Sequence, residues 1–213
     1  MNTRGMKRIL GYVGLCCALA ILASCVDFED YALGPLGAPW SISQAGSSTA
    51  TIVHTTDHGN VLRLQGSAVL GDFLIASLGF SSSAPNVATQ VDINPDSGAS
   101  FVWSLHGAGT SIGRRRIRLQ RAPGATVLVA NTVPNGDSEC GTLASGVWST
   151  VTLMVHTEAF PHTFDVLING VATACTGLET GLSPPFDSVS VMDASNEGFG
   201  GVVRFDNVGI SAG

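Results

Sequence analysis

Apolar positions along this chain recur at a spacing of two, in short runs separated by Gly, Pro, Ser, Asn and Asp. The runs lie at 49–54, 61–65, 72–80, 87–93, 100–105, 115–120, 126–130, 151–156, 163–168, 188–192 and 202–210, and are rich in Val, Ile, Thr and Phe. A spacing of two sends alternate side chains to opposite faces, the pattern of a strand with one face buried. No segment carries an apolar stripe at helical spacing across three turns. Many short strands with turn residues between them and no intervening helix predict an all-β, antiparallel sandwich or barrel.

The sharpest local signal is Phe164-Asp165-Val166-Leu167-Ile168-Asn169-Gly170-Val171. Asn-Gly supplies two adjacent residues that tolerate positive φ, as a two-residue type I′ turn requires. That register sets Ile168 against Val171, Val166 against Thr173 and Phe164 against Cys175. Cys175 then shares the apolar face of the hairpin.

The start of the chain has a different character. Arg4, Lys7 and Arg8 precede an uncharged, mostly apolar stretch of 15 residues, 9–23. This suits the core of a helical signal peptide and is shorter than the ~20 residues a spanning helix needs. It ends in Leu22-Ala23-Ser24-Cys25, which resembles the lipobox of bacterial lipoproteins. The resemblance implies removal of residues 1–24, lipid on the Cys25 thiol, and the membrane as a partner through that lipid. The alternative is an ordinary secretory signal with a chance cysteine. Val26 stands where an Asp would favour inner-membrane retention, so the resemblance implies the cell envelope and its outer membrane.

What remains, 25–213, is long enough for one domain with one core. It holds no lysine, seven arginines and all 16 acids, a formal net charge of −9. That balance argues against nucleic acid, whose phosphates need a positive footprint. Cys140 and Cys175 are the only cysteines after Cys25. In an oxidising compartment they form a disulfide, pinning the polar loop 135–142 to the sandwich; the alternative is two buried thiols.

Three stretches resemble the concanavalin A-like, laminin-G-like jelly-roll superfamily. Asp27-Phe28-Glu29-Asp30-Tyr31, with Gly34 and Trp40, looks like its first strand. Gly146-Val147-Trp148 and the Phe164–Val171 hairpin look like its centre. Phe205-Asp206-Asn207-Val208-Gly209-Ile210 looks like its closing strand, which pairs with the first. The resemblance implies a lectin-like sandwich that binds carbohydrate or another envelope component. A galactose-binding-like jelly roll shares the first and last motifs, and a structural module that meets an envelope protein is the alternative function. Enzymes of the superfamily carry a Glu-x-Asp-x-x-Glu strand or a Gln-x-His strand. Neither pattern occurs here, so the expectation is a non-catalytic protein.

Several residues are candidates for a site. Arg114, Arg116 and Arg118 alternate, so they form a row on one face while Ile117 and Leu119 enter the core; His106 falls on the corresponding face of its own strand. The row could grip an anionic sugar or phosphate, or merely solubilise the surface. Glu29 and Asp206, from ends expected to be neighbours, are candidate ligands for a structural calcium, or edge carboxylates bonded to backbone N–H groups. His54-Thr55-Thr56-Asp57-His58 suits a hairpin turn better than a zinc site. Trp40, Trp103 and Trp148 are expected in the core or at the sandwich edge.

Overall fold

The computed structural model of the chain describes residues 24–108, 116–122, 124–132, 136–193 and 201–213. The signal segment before Ser24 and Arg114 lie outside the described residues. The strands in chain order are β1 (Ser24–Val26), β2 (Gly34–Pro35), β3 (Trp40–Ala45), β4 (Thr49–Thr55), β5 (Gly59–Gly66), β6 (Phe73–Ser82), β7 (Asn86–Pro95), β8 (Phe101–Ala108) and β9 (Arg116–Arg121). They continue as β10 (Val127–Thr132), β11 (Gly136–Thr142), β12 (Ser149–His156), β13 (Thr163–Ile168), β14 (Val171–Ala172), β15 (Leu178–Glu179), β16 (Ser183–Asp193) and β17 (Gly201–Ala212). Among the described residues there is no helix.

The strands form two antiparallel sheets. A ten-stranded sheet runs β14-β13-β12-β7-β17-β5-β4-β2, with β1 beside β17 and β15 beside β13. A seven-stranded sheet runs β11-β10-β9-β8-β16-β6-β3. Alternation assigns the faces: in β12, Val151, Leu153 and Val155 are buried and the residues between them are half-exposed. Phe101, Trp103, Leu105, Ile117 and Leu119 from one sheet meet Val91, Ile93, Phe164 and Phe205 from the other in one continuous core. This two-layer arrangement is a jelly-roll sandwich.

The alternation that revealed the strands also fails in places, each for a physical reason. Residues 136–142, expected as a polar loop, form the edge strand β11, where only Cys140 is buried. An edge strand facing solvent carries no apolar alternation, so its sequence does not betray it. Asp27–Tyr31, expected as the first strand, is instead a turn after β1, with the Tyr31 N–H bonded to the Phe28 carbonyl at 3.1 Å. Only the three residues before it pair with the closing strand β17.

The hairpin turn has the expected form, with positive φ at Asn169 and Gly170 and Ile168 opposite Val171. Farther out the register changes. Val166 accepts the Thr173 N–H at 3.1 Å and donates to the Cys175 carbonyl at 2.8 Å, so two points of the returning chain oppose one residue. Phe164 therefore pairs with Leu178 rather than Cys175. Cys175 still reaches the core and is disulfide-bonded to Cys140. The bond joins an edge of the seven-stranded sheet to the segment following β14 of the other sheet.

Candidate functional site

The outward faces of the two sheets differ in exposure. On the ten-stranded sheet, the outward Asn86, Ala88, Gln90 and Asp92 of β7 and the outward residues of β12 are half-exposed, and burial of outward groups is confined to Asn94 and Asp206 along these strands and the bulge of β17. On the seven-stranded sheet, Val102, Ser104 and Ser190 point away from the core, yet their exposures are only 1%, 2% and 4%. The centre of that face is shielded from solvent.

Cross-strand register aligns a polar rung across all seven strands there. Ser41 on β3 pairs with Ser77, which pairs with Ser190 on β16 and through it with Ser104 on β8. Ser104 pairs with Arg118, Arg118 with Asn131, and Asn131 with Asp137 on β11. The next rung is apolar at its centre, with Ile75, Met192 and Val102 as successive neighbours and Gln120 beyond them. On the other side His106 lies opposite Arg116 and bonds the Ser190 hydroxyl through Nε2 at 2.9 Å.

Arg116, Arg118 and His106 thus share one patch, as the alternation in β9 predicts, with Ile117 and Leu119 fully buried beneath. The Arg118 Nε is buried and has no hydrogen-bond partner. Neither Arg116 nor Arg118 forms an ion pair among the described residues. Burial lowers the Arg118 pKa and the Arg116 charge adds to this, against a smaller opposing effect of Asp137. Burial also lowers the His106 pKa; the Asp187 carboxylate opposes the shift and Arg116 reinforces it. Asp137 is itself held by the Asn131 side-chain amide at 2.5 Å. A partly desolvated pair of guanidiniums with no ion-pair partner among the described residues favours an acceptor-rich or anionic ligand.

A second cluster on the ten-stranded sheet escaped sequence reasoning. A bulge between Asp206 and Gly209, with Asn207 at φ 49°, turns both Asp206 and Asn207 outward while Phe205 and Val208 stay in the core. The β4–β5 turn delivers His58 onto Asp206, Nδ1 to carboxylate at 3.2 Å, and Trp148 stacks on the His58 ring at 4.0 Å. The Trp148 N–H donates to Asp57 at 3.0 Å. Trp148 therefore belongs to the outer face, on the side of Thr150 and Thr152, and not to the core; Trp40 and Trp103 are buried as expected. Burial raises the Asp206 pKa to about 6, moderated by the His58 and Asn207 hydrogen bonds and increased by the Asp92 charge. The sequence offered Asp206 as a calcium candidate, His58 as part of a hairpin turn and Trp148 as a core or edge residue, but nothing in it pointed to their convergence.

Glu29 and Asp206 both approach the β4–β5 hairpin but are engaged separately. Glu29 lies in the turn after β1, not on a strand, and accepts the Asn60 N–H at 3.1 Å. Its carboxylate occupies the space a side chain on Gly59 would fill. Among the described residues no three His, Cys, Asp or Glu side chains converge to hold a metal ion. A calcium ion bound by Glu29 and Asp206 would have to draw most of its six to eight or so oxygens from main-chain carbonyls and water.

No family model matches the chain, and no curated protein matches it in sequence. Solved structures do match in shape. The cellulose-induced protein Cip1 is 16% identical with a TM-score of 0.64, over 89% of this chain and 97% of that one. An endo-1,3-β-glucanase from Streptomyces sioyaensis is 13% identical with a TM-score of 0.58, over 92% of this chain and 100% of that one. Lectin I-B4 from Griffonia simplicifolia is 7% identical with a TM-score of 0.55, over 91% of this chain and 100% of that one. At these identities the likeness establishes the fold, a lectin-like jelly roll, and leaves function to be argued from the site.

Proposed function

We propose that this protein is a non-catalytic, lectin-like lipoprotein of the cell envelope, tethered to the outer membrane through Cys25, that binds carbohydrate on the outer face of the seven-stranded sheet. The observation that carries the reading is the unbroken polar rung from Ser41 to Asp137 lying beside an apolar one. A sugar ring presents hydroxyls at its rim and C–H groups on its faces, and adjacent polar and apolar rungs complement both. Seven strands spaced about 4.8 Å apart give a rung of about 29 Å, the scale of an extended chain and not a single sugar. Arg116 and Arg118 add a preference for sugars bearing carboxylate or sulfate, which a guanidinium binds through forked hydrogen bonds. The lectin among the structural neighbours supports the binding role. The lack of the superfamily's acid and Gln-x-His strand patterns supports a binder over an enzyme.

A glycan-array screen of residues 26–213, with the disulfide intact, tests the reading. Binding is expected to favour anionic glycans, and Arg118→Ala is expected to weaken it by roughly 10-fold or more, the loss of a charge-assisted hydrogen bond. A folded protein that binds no glycan on the array overturns the proposal.

A further inference from the structure

Cys25 is not on a free tail. It sits in β1, opposite Gly209 of the closing strand, and its side chain is exposed. Val26, the next residue, pairs with Val208 and packs against the core, so alternation directs Cys25 to the outer face of the ten-stranded sheet. Its sulfur lies over a bare stretch of backbone: a Cβ on Gly209 would be 3.6 Å from it. Phe28, three residues along, is fully buried against Tyr31 and Trp40. Even with β1 peeled away, three extended residues reach only about 10 Å, so a lipid on Cys25 holds the sandwich hard against the bilayer.

The rung in line with Cys25 suits that position. Gly209 pairs with Gln90, Gln90 with Thr152, Thr152 with Leu167, and Leu167 with Ala172. No member carries a charge. The rung on the opposite side of the sandwich carries Arg118 and Asp137.

We infer that the outer face of the ten-stranded sheet, along the rung from Cys25 to Ala172, lies on the membrane surface and that the polar rung of the seven-stranded sheet faces away from it. The inference rests on the tether reading above and adds a fixed orientation to it. The bilayer then meets a rung of uncharged side chains, with Asp165 on the flanking rung to one side and Asp92 and Asp206 on the rung to the other, while the face of the seven-stranded sheet stays open to long glycans.

The test uses the full lipoprotein in vesicles of phosphatidylethanolamine and phosphatidylglycerol. Single reporter thiols are placed on the membrane-side rung (Thr152→Cys, with Leu167→Cys as a second position) and on the other face (Ser43→Cys). Each is labelled with a fluorophore and read with headgroup spin-labelled lipid as quencher. Quenching is expected to be severalfold stronger at 152 and 167 than at 43. Equal or reversed quenching with lipid confirmed on Cys25 by mass spectrometry overturns the orientation alone. An unmodified Cys25 thiol overturns the tether reading and the orientation together.

Discussion

Asp206 shows how a single bulge sets local chemistry. Because Asn207 takes a left-handed conformation, two consecutive residues of β17 point outward, and the first is covered by His58 and by Trp148 stacked on it. Asp92 adds a second carboxylate beside it, and Asp57 lies on the far side of the stack, bonded to Trp148. The folded-state pKa of about 6 stands above the ordinary 3.8, so the native protein holds this proton more tightly than the unfolded chain. The resulting stabilisation is fully present below about pH 4 and is lost as pH rises through about 6, by roughly 3 kcal/mol at most. Asp206→Asn removes this dependence, since an amide does not titrate. Urea unfolding of both proteins between those pH values is expected to show the parent losing stability relative to the variant as pH rises. Parallel curves would show that Asp206 does not carry the shift. In the sequence Asp206 was visible as part of a closing-strand motif and as a candidate calcium ligand, but not as the centre of this cluster, because neither the bulge nor the partners from the β4–β5 turn and the segment before β12 leave a local pattern. Arg121 was invisible for a related reason: it has the core parity of Ile117 and Leu119, and it remains buried because its guanidinium donates to the Ala125 carbonyl at 2.6 Å, the Ser145 hydroxyl at 2.7 Å and the Asp96 carbonyl at 3.4 Å.

Among the elements, the inner strands were legible and the edges were not. β12 buries every second residue and β13 buries Phe164 and Val166 with Ile168 half-buried behind them, so their alternation records the sheet directly. β3, β11 and the short strands β2 and β15 cover little of the core, and backbone pairing places them without a sequence signature, whereas β14 was marked by the Asn-Gly turn before it. The disulfide compensates at one such edge. It ties β11, which otherwise holds only to β10, to the chain leaving β14, across a sequence separation of 35. Closing a loop of that length restricts the unfolded chain enough to stabilise the fold by about 4 kcal/mol. Reduction, or Cys140→Ala with Cys175→Ala, is therefore expected to lower the midpoint of denaturant unfolding strongly, and the fluorescence of Trp103 in the core provides the readout. An unchanged midpoint would mean that β11 docks as firmly through backbone pairing alone.

At the scale of the whole molecule, the two outer faces have separate tasks in the proposed function, and this separation is measurable. Cys25 projects from the ten-stranded sheet and the polar rung lies on the seven-stranded sheet, with the core between them. Facing sheets are about 10 Å apart before their outward side chains are counted, so the tether and the rung share no contacting residue. Sites that far apart without common partners couple by less than about 0.5 kcal/mol, which corresponds to a change of about twofold in affinity. A Cys25→Ser protein, which has no thiol for lipid attachment, should therefore bind a glycan found on the array as tightly in solution as the lipidated protein does in detergent. Titration calorimetry on the two forms measures the difference directly. A larger loss in the serine variant would place the ligand across the ten-stranded face, near β1 and the His58–Trp148 stack. Equal affinities, combined with strong loss in Arg118→Ala, would fix binding to the face turned away from the tether. The aromatic content of the rungs on that face is low, so affinity there has to come from hydrogen bonds and the two guanidiniums. Raised salt should then weaken both forms equally, because the same charges are exposed to the same ions in each.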